Sequence, residues 1–302
     1  MLITFASLRG SPGTSAATLA LTWTWPRHAI AAECDPSGSQ ALAVFDPGGS
    51  LGHRGVFEAM LSARTMPLPQ ALWQQVITLP DGTGRHFLLP GSQTPRASES
   101  LQWQRLAGVF RSWGSLDVLA DCGRLRARGT PHAVLGNADL TVLVVRNDRH
   151  SLRSLSSAAD VVREEIRLLG SADDGLVVMV VSTTSSGTQR FPVKEIERQF
   201  AKLGLPVVGE LPWDPQAATQ LTDTFNPGKR FEGSALLDRA RQLGLEIGKR
   251  AFARSRRLRG PELTEHHPAR SVRPRRQLVR RQQLPPIPRP VAPSGERDRH
   301  GD

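Results

Sequence analysis

The chain has 302 residues, 39% of them hydrophobic and 22% charged, which suits a globular protein with a substantial core. It contains no uninterrupted apolar run of about eighteen residues, so we expect no integral membrane segment. Its two cysteines, Cys34 and Cys122, are too few for a disulfide framework and favour a cytoplasmic location. The net charge of +11 is uneven: from Ala251 onward, thirteen arginines face five acidic residues, a net of +8. The chain therefore combines a nearly balanced body with a basic tail.

Hydrophobic patterns in the first half of the chain predict short apolar strands that alternate with amphipathic helices. A strand leads through a glycine- and proline-containing loop into the first helix. The predicted elements are strand 2–7, helix 15–23, strand 28–33, helices 56–63 and 69–75, and strands 76–79 and 86–89.

The second half continues the alternation, with helix 101–113, strands 116–120 and 140–145, helix 151–169, strand 176–181, helix 191–203, strand 206–210 and helix 235–253. Apolar strands that alternate with helices predict an α/β doubly wound, mostly parallel sheet with helices on both faces. We expect one nucleotide-binding domain over residues 1–253. Residues 254–302 are rich in arginine and proline, and we expect them to form a disordered tail.

The connection between the first strand and the first helix is a candidate phosphate loop. Residues 7–16 read SLRGSPGTSA, and glycines in such a loop let backbone N–H groups and a helix N-terminus face an anion. The pattern G-x-x-x-x-G-K-[ST] is not matched, so this segment alone favours an ordinary strand-to-helix connection.

Two carboxylates follow apolar strands, at the edge where open α/β sheets bind ligands. Asp35 follows the second strand, and Asp121 follows strand 116–120. A carboxylate there can hold Mg²⁺ through water or orient an attacking water. Either one alone is more often a helix cap or a turn residue. The loop and the two carboxylates, in this order, favour a nucleotide site.

These motifs, in their order and spacing, resemble the ParA/MinD family of deviant-Walker ATPases over roughly residues 1–250. The family's K-G-G-x-G-K-[ST] loop resembles RGSPGTS at 9–15, and its D-x-D-P motif resembles ECDP at 33–36. LLPG at 88–91 resembles the family's L-P-A-G turn, and VVGELPWD at 207–214 its late strand and adenine-side loop.

The resemblance implies ATP and Mg²⁺ as cofactors and assigns roles to particular positions. It implies that Asp35 assists hydrolysis, that Asp121 is the switch aspartate, and that Ser15 and Asp121 hold Mg²⁺. The implied nucleotide-binding residues are Arg9, Gly10, Ser11, Pro12, Gly13, Thr14, Ser15, Ala16, Pro212 and Trp213.

The departures from the family pattern are as informative as the matches. Thr14 stands where the phosphate-loop lysine is expected, which removes a point charge from the β- and γ-phosphates. Arg9 replaces the signature lysine that crosses the dimer, and a planar guanidinium is not equivalent to an ammonium. Glu33 replaces the motif's first aspartate. We therefore expect nucleotide binding with slow or absent hydrolysis.

The resemblance implies a nucleotide-dependent homodimer that positions DNA or a surface assembly, with a partner from a partition, pilus or secretion system. An alternative is a pseudo-ATPase adaptor that keeps the fold but not the chemistry. A third possibility is a nucleic-acid-binding protein that acts through its tail. Clusters of arginine at 254–259 and 273–281 are dense enough to contact phosphates of DNA or an anionic membrane. A solubilising end without a partner is an equally good interpretation.

Overall fold

The structure is a computed structural model that describes residues 1–8, 13–38, 40–125, 129–169, 173–182 and 191–259, without the side chains of Lys229 and Arg259. The positions Arg9, Gly10, Ser11 and Pro12 of the candidate phosphate loop lie outside the described residues. The tail from Gly260 onward also lies outside them, so the interpretations placed on these two segments stay predictions.

Within the described residues, eight strands form one sheet in the order β3-β4-β2-β5-β1-β6-β7-β8. The strands are β1 (Leu2–Ser7), β2 (Ala29–Glu33), β3 (Ile77–Thr78), β4 (His86–Leu89), β5 (Asp117–Arg124), β6 (Leu140–Arg146), β7 (Leu176–Val181) and β8 (Val207–Leu211). The short β3 pairs antiparallel with β4, and the other pairings are parallel. The predicted mostly parallel α/β sheet is confirmed.

Helices cover both faces of this sheet. They are α1 (Thr14–Trp23), α2 (Ala41–Phe45), α3 (Val56–Ser62), α4 (Leu68–Gln75), α5 (Pro95–Glu99), α6 (Trp103–Ser112), α7 (His132–Gly136), α8 (Arg149–Leu168), α9 (Val193–Lys202), α10 (Pro215–Thr222), α11 (Lys229–Glu232) and α12 (Ala235–Arg259). A hydrophobic core lies on each face of the sheet, and the side chains of β1 contribute to both. Leu2 and Ala6 pack with α3, α4 and α6 to α9 on one face. Ile3 and Phe5 pack with α1, α10 and α12 on the other. Burial on both faces explains why the strands are apolar throughout.

Element ends differ from the sequence predictions at several places. Strand β5 continues to Arg124 instead of ending at residue 120, because its ladder with β1 runs on past Asp121. The short helices α2, α5, α7, α10 and α11 were not predicted, since each spans eight residues or fewer and carries little periodicity. None of the helices in the described ranges combines the length and the apolar character that a membrane crossing requires.

The beginning of the predicted tail needs a correction. Helix α12 runs to Arg259, so the helix predicted to end at residue 253 is six residues longer. Arg254, assigned to the disordered tail and to phosphate contacts, is only 1% exposed. Its guanidinium donates to the backbone oxygens of Ala138 and Asp139, at 3.0 and 2.9 Å, and to the carboxylate of Asp174, at 3.0 Å. An arginine that looks solvated in sequence thus anchors the last helix to the sheet.

Candidate functional site

The candidate site lies at the carboxyl edge of three neighbouring strands. Strand β1 pairs with β5, and β5 pairs with β2, so the segments that follow β1 and β2 lie side by side with the end of β5. Asp121 is in register with Phe5 on one side and with Glu33 on the other. The topology therefore brings the described ends of the candidate phosphate loop, residues 7–8 and 13–16, and the two candidate carboxylates to one edge.

Helix α1 begins at this edge with backbone geometry that suits an anion. Gly13 precedes the helix in the left-handed region, at φ 94°, where glycine is favoured. The helix has neither a side-chain cap nor an acidic residue in its first turn. Its leading N–H groups and the positive end of its dipole are therefore available to a negatively charged ligand.

Thr14 occupies the position at which the family has its lysine. The residue is 6% exposed, and its hydroxyl has no hydrogen-bond partner among the residues that the structure describes. A buried hydroxyl without a partner is costly, so a ligand that supplies an acceptor at this helix N-terminus would relieve the cost. Thr14 brings no charge to the site.

Asp121 is a buried carboxyl group with a strongly raised pKa. Burial raises its pKa from 3.8 to about 7, and the nearby carboxylates of Asp35 and Glu33 add to the rise. The Ser15 hydroxyl and the Gly123 backbone N–H, at 3.0 Å, donate to the carboxyl group and partly offset this effect. A cation beside this carboxyl group would strongly stabilise its charged form and lower its pKa.

Asp35 lies next to Asp121 and also has an ordinary turn role. One of its oxygens accepts a hydrogen bond from the Ser37 backbone N–H at 2.8 Å. A Cβ added to Gly123 would lie 2.2 Å from the Asp35 Cγ, so this carboxylate packs directly against the Gly123 backbone. The structure thus brings Asp35, Asp121 and Ser15 together, and leaves their chemical roles as predictions.

Two buried thiols lie behind the carboxylates. Cys34 and Cys122 are both fully buried in the same apolar cluster, and both thiols are free. Burial raises the pKa of each thiol, and the adjacent Asp121 raises it further.

Over the described part of the chain, no group of three or more histidine, cysteine, aspartate or glutamate side chains is arranged to hold a metal ion. Mg²⁺ sites commonly use one or two carboxylates with water and phosphate oxygens, which Ser15 and Asp121 can complement.

The predicted adenine-side loop lies after β8, at the same edge. Trp213 is partly buried, and the Arg146 guanidinium at the end of β6 lies 5.3 Å from the centre of its ring, a cation–π distance. Asp214 caps α10 through a 3.0 Å bond from the Ala217 N–H. A cavity of about 560 Å³ beside α10 is lined by Asp214, Gln216, Gln220, Arg230 and other residues, but Gly13 to Ala16, Asp35 and Asp121 are not among them.

The residues present fit a bound nucleotide with Mg²⁺, with one deficiency. The N-terminus of α1 and the Thr14 hydroxyl, which has no partner among the described residues, suit phosphate oxygens. Ser15 with Asp121 offers the hydroxyl and carboxylate that suit Mg²⁺. The deficiency is the missing lysine charge.

The sequence analysis missed three features of the site. Gly123 is needed because Asp35 occupies the space a side chain would fill; the only sequence signal is a glycine directly after Asp121 and Cys122. Arg146 was not considered, although a charged residue directly after an apolar strand is a signal of this edge. Glu33 was noted only as a substitution, and its contacts are with Gln40 and Ala41 at the start of α2 and with the distant Gly91.

Comparison with known proteins finds similarity in structure but not in sequence. No protein-family model and no curated protein sequence matches the chain. Solved structures with a similar fold include the following three proteins. MinD from Pyrococcus horikoshii OT3 in complex with Mg-ADP shares 17% identity over 83% of this chain and 97% of its own, with a TM-score of 0.63. A ParA family ATPase from Chlorobium tepidum TLS shares 17% identity over 80% of this chain and 98% of its own, with a TM-score of 0.59. A putative plasmid partition protein from Borrelia burgdorferi B31, bound to AMPPNP, shares 14% identity over 82% and 97%, with a TM-score of 0.55.

Proposed function

We propose that this chain, which has the fold of the ParA/MinD P-loop ATPases, binds ATP with Mg²⁺ and acts as a dimeric positioning or partitioning factor. Segregation of DNA and placement of a pilus or secretion assembly are the two roles that this class suggests. Hydrolysis is slow or absent. A cytoplasmic location is part of the same proposal.

The observation that carries the proposal is the arrangement at the start of α1. The open helix N-terminus, the Ser15 hydroxyl and the buried Asp121 carboxyl group converge beside β1. When bound, Mg²⁺ would neutralise phosphate charge there. The cation would stabilise the charged form of the buried Asp121 carboxyl group, and Asp35 is close enough to orient a water at the same edge.

The expectation of slow hydrolysis rests on Thr14. Charged donors in a dry site supply much of the stabilisation of phosphoryl transfer, and the loss of one costs about 3 kcal/mol or more. Among the described residues, Thr14 offers a hydroxyl at this position and no charge. Arg9, which lies outside the described residues, is our candidate for a partial substitute.

The decisive experiment is binding of a fluorescent ATP analogue to the full chain, with and without Mg²⁺. We expect saturable, Mg²⁺-dependent binding that Arg9→Ala and Asp121→Ala both weaken. Thr14→Lys restores the missing charge and should strengthen binding by about tenfold. Asp238→Ala, in an exposed ion pair on α12, is the matched control and should leave binding unchanged. No wild-type binding at millimolar nucleotide would reject the proposal.

The second candidate is a pseudo-ATPase adaptor, and Thr14 is the observation that favours it. An adaptor would dimerise and bind its partner without nucleotide. Absence of nucleotide binding together with a stable dimer in analytical ultracentrifugation would favour this alternative. Nucleotide-dependent dimerisation would favour the first.

The third candidate is nucleic-acid binding through the basic tail. Arg256 and Arg257 are exposed at the end of α12, directly before nine further arginines in residues 260–302. DNA binding should fall steeply with salt if these charges carry it. Replacement of those nine arginines by glutamine should abolish binding. Replacement of Arg149 and Arg153, exposed on α8, by glutamine is the control and should have little effect.

A further inference from the structure

Glu33, the last residue of β2, holds two separate segments with one carboxylate. Its Oε1 atom accepts from the backbone N–H groups of Ala41 at 3.1 Å and Gln40 at 3.4 Å. Its Oε2 atom accepts from the backbone N–H of Gly91 at 3.2 Å. Hydrogen bonds to a charged acceptor are stronger than neutral ones, so a single side chain organises the start of α2 and the turn after β4.

The two segments flank or belong to residues 34–55, which we call the 34–55 loop and of which the structure describes 34–38 and 40–55. Its first half is bonded directly to Glu33 at the start of α2. At its other end, the Val56 N–H donates to the Pro90 oxygen at 3.0 Å. Gly55 lies so close to the Gly91 oxygen that an added Cβ would come within 2.2 Å of it. Through Pro90 and Gly91, the far end of the loop is therefore linked to the same carboxylate.

The same carboxylate also adjoins the candidate nucleotide site. Glu33 is in register with Asp121, contributes to the raised pKa of Asp121, and precedes Asp35 by two residues. A shift of Glu33 would therefore move the start of the segment that carries Asp35. The length of the side chain matters, because an aspartate is one methylene shorter and cannot reach both segments from the end of β2.

We propose that Glu33 is a positioning residue that fixes the 34–55 loop, and with it Asp35, against the nucleotide edge. Its effect on nucleotide affinity rests on the proposed function, whereas its effect on the loop does not. The shorter aspartate would hold one end of the loop and release the other. Glutamine would keep one acceptor oxygen and place an NH₂ group against a backbone N–H.

The test compares Glu33→Asp, Glu33→Gln and Glu33→Ala in the full chain with Glu197→Gln, an exposed control on α9. The readouts are hydrogen exchange at the amides of Gln40, Ala41 and Gly91, thermal unfolding, and affinity for the fluorescent ATP analogue with Mg²⁺. We expect Glu33→Ala to exchange about tenfold faster at both ends of the loop. In Glu33→Asp, exchange should be faster either at Gln40 and Ala41 or at Gly91, but not at both. The amides of β6 and β7 should keep their wild-type protection.

The outcomes separate positioning from a general structural role. Local loss of protection with weaker nucleotide affinity and a nearly unchanged unfolding midpoint supports the proposal. Unchanged protection at all three amides overturns it, as does a uniform loss across the sheet. If Glu33→Ala does not fold, the comparison of Glu33→Asp with Glu33→Gln decides in the same way. If the wild type binds no nucleotide, the proposed function fails while the exchange result still accepts or rejects the role of Glu33 in the loop.

Discussion

The Asp35 carboxylate rests on the backbone of Gly123, and this contact joins the ends of β2 and β5. A Cβ at position 123 would lie 2.2 Å from the Asp35 Cγ and 2.4 Å from its Oδ2. Gly123 also has φ 62°, in the region that side chains disfavour. The glycine therefore makes two contributions, since it admits the backbone conformation and leaves room for Asp35 beside Asp121.

Gly123→Ala should displace Asp35 and weaken Mg²⁺-dependent nucleotide binding. The backbone conformation alone should lower the free energy of unfolding by about 1–2 kcal/mol. Gly108→Ala is a matched control, because Gly108 lies within α6, where an added Cβ meets no heavy atom within 4 Å. That control should leave binding unchanged and be neutral or stabilising by up to about 1 kcal/mol. Urea unfolding and nucleotide titration measure both effects, and equal behaviour of the two variants would contradict the assigned contact.

Asp121 should make the stability of the ligand-free protein fall as pH rises. Burial raises the pKa of Asp121 from 3.8 to about 7, so the folded state binds this proton more tightly than the unfolded state does. The stabilising contribution of the neutral carboxyl group is complete below about pH 4 and is lost as pH rises through 7. Asp121→Asn should therefore increase the free energy of unfolding at pH 8, by up to about 4 kcal/mol.

Urea unfolding between pH 4 and pH 8, without Mg²⁺ or nucleotide, measures this difference. The advantage of Asp121→Asn should shrink toward pH 4, and added Mg²⁺ with nucleotide should favour the wild type instead. Asp238→Asn, exposed on α12, serves as the control for removal of a carboxylate. A stability difference between Asp121→Asn and the wild type that is constant with pH would show that burial of this carboxyl group is not its cause.

The sequence predicts the fold well because its strands are buried on both faces. Strands β1, β4 and β7 have the predicted bounds, since continuous apolar runs such as that of Leu176–Val181 have clear ends. Long amphipathic helices such as α8 are likewise predicted within two residues. The parallel arrangement then places Asp35 and Asp121 at one edge without further information.

The remaining features depend on contacts between distant parts of the chain. Glu33 acquires its partners from α2 and from the turn after β4, and no local pattern indicates that Gly91 lies within reach. Arg254 is surrounded by other arginines in sequence, so composition predicts a solvated tail. In the fold it donates to the backbone oxygens of Ala138 and Asp139, directly before β6 and 116 and 115 residues earlier. Local periodicity contains no information about such partners.

Cys34 and Cys122 should be unreactive in the folded protein. Both thiols are fully buried, and burial with nearby carboxylates raises their pKa, so little reactive thiolate forms near neutral pH. Alkylation by iodoacetamide at pH 8 should be at least about a hundredfold slower in buffer than in urea, because it requires local opening. Mass spectrometry counts the adducts, and the chain holds no other cysteine. Two rapid adducts on the native protein would contradict the buried arrangement at this edge.

Arg254 should be essential for docking of the last helix. Its loss would leave the backbone oxygens of Ala138 and Asp139 without their donor, whereas Asp174 is half exposed and can be solvated again. Arg254→Ala should therefore lower the free energy of unfolding by about 2–4 kcal/mol. Arg256→Ala, exposed two residues later, should change it by no more than about 0.5 kcal/mol.

Gly175→Ala tests the same anchor from the opposite side. A Cβ at Gly175 would lie 2.7 Å from the Arg254 Cζ, so the guanidinium would have to move although the arginine is retained. The double variant Gly175→Ala with Arg254→Ala should then be little less stable than Arg254→Ala alone, because the two changes disrupt one contact. Full additivity of the two unfolding free energies would mean that Arg254 stabilises the fold through some other interaction.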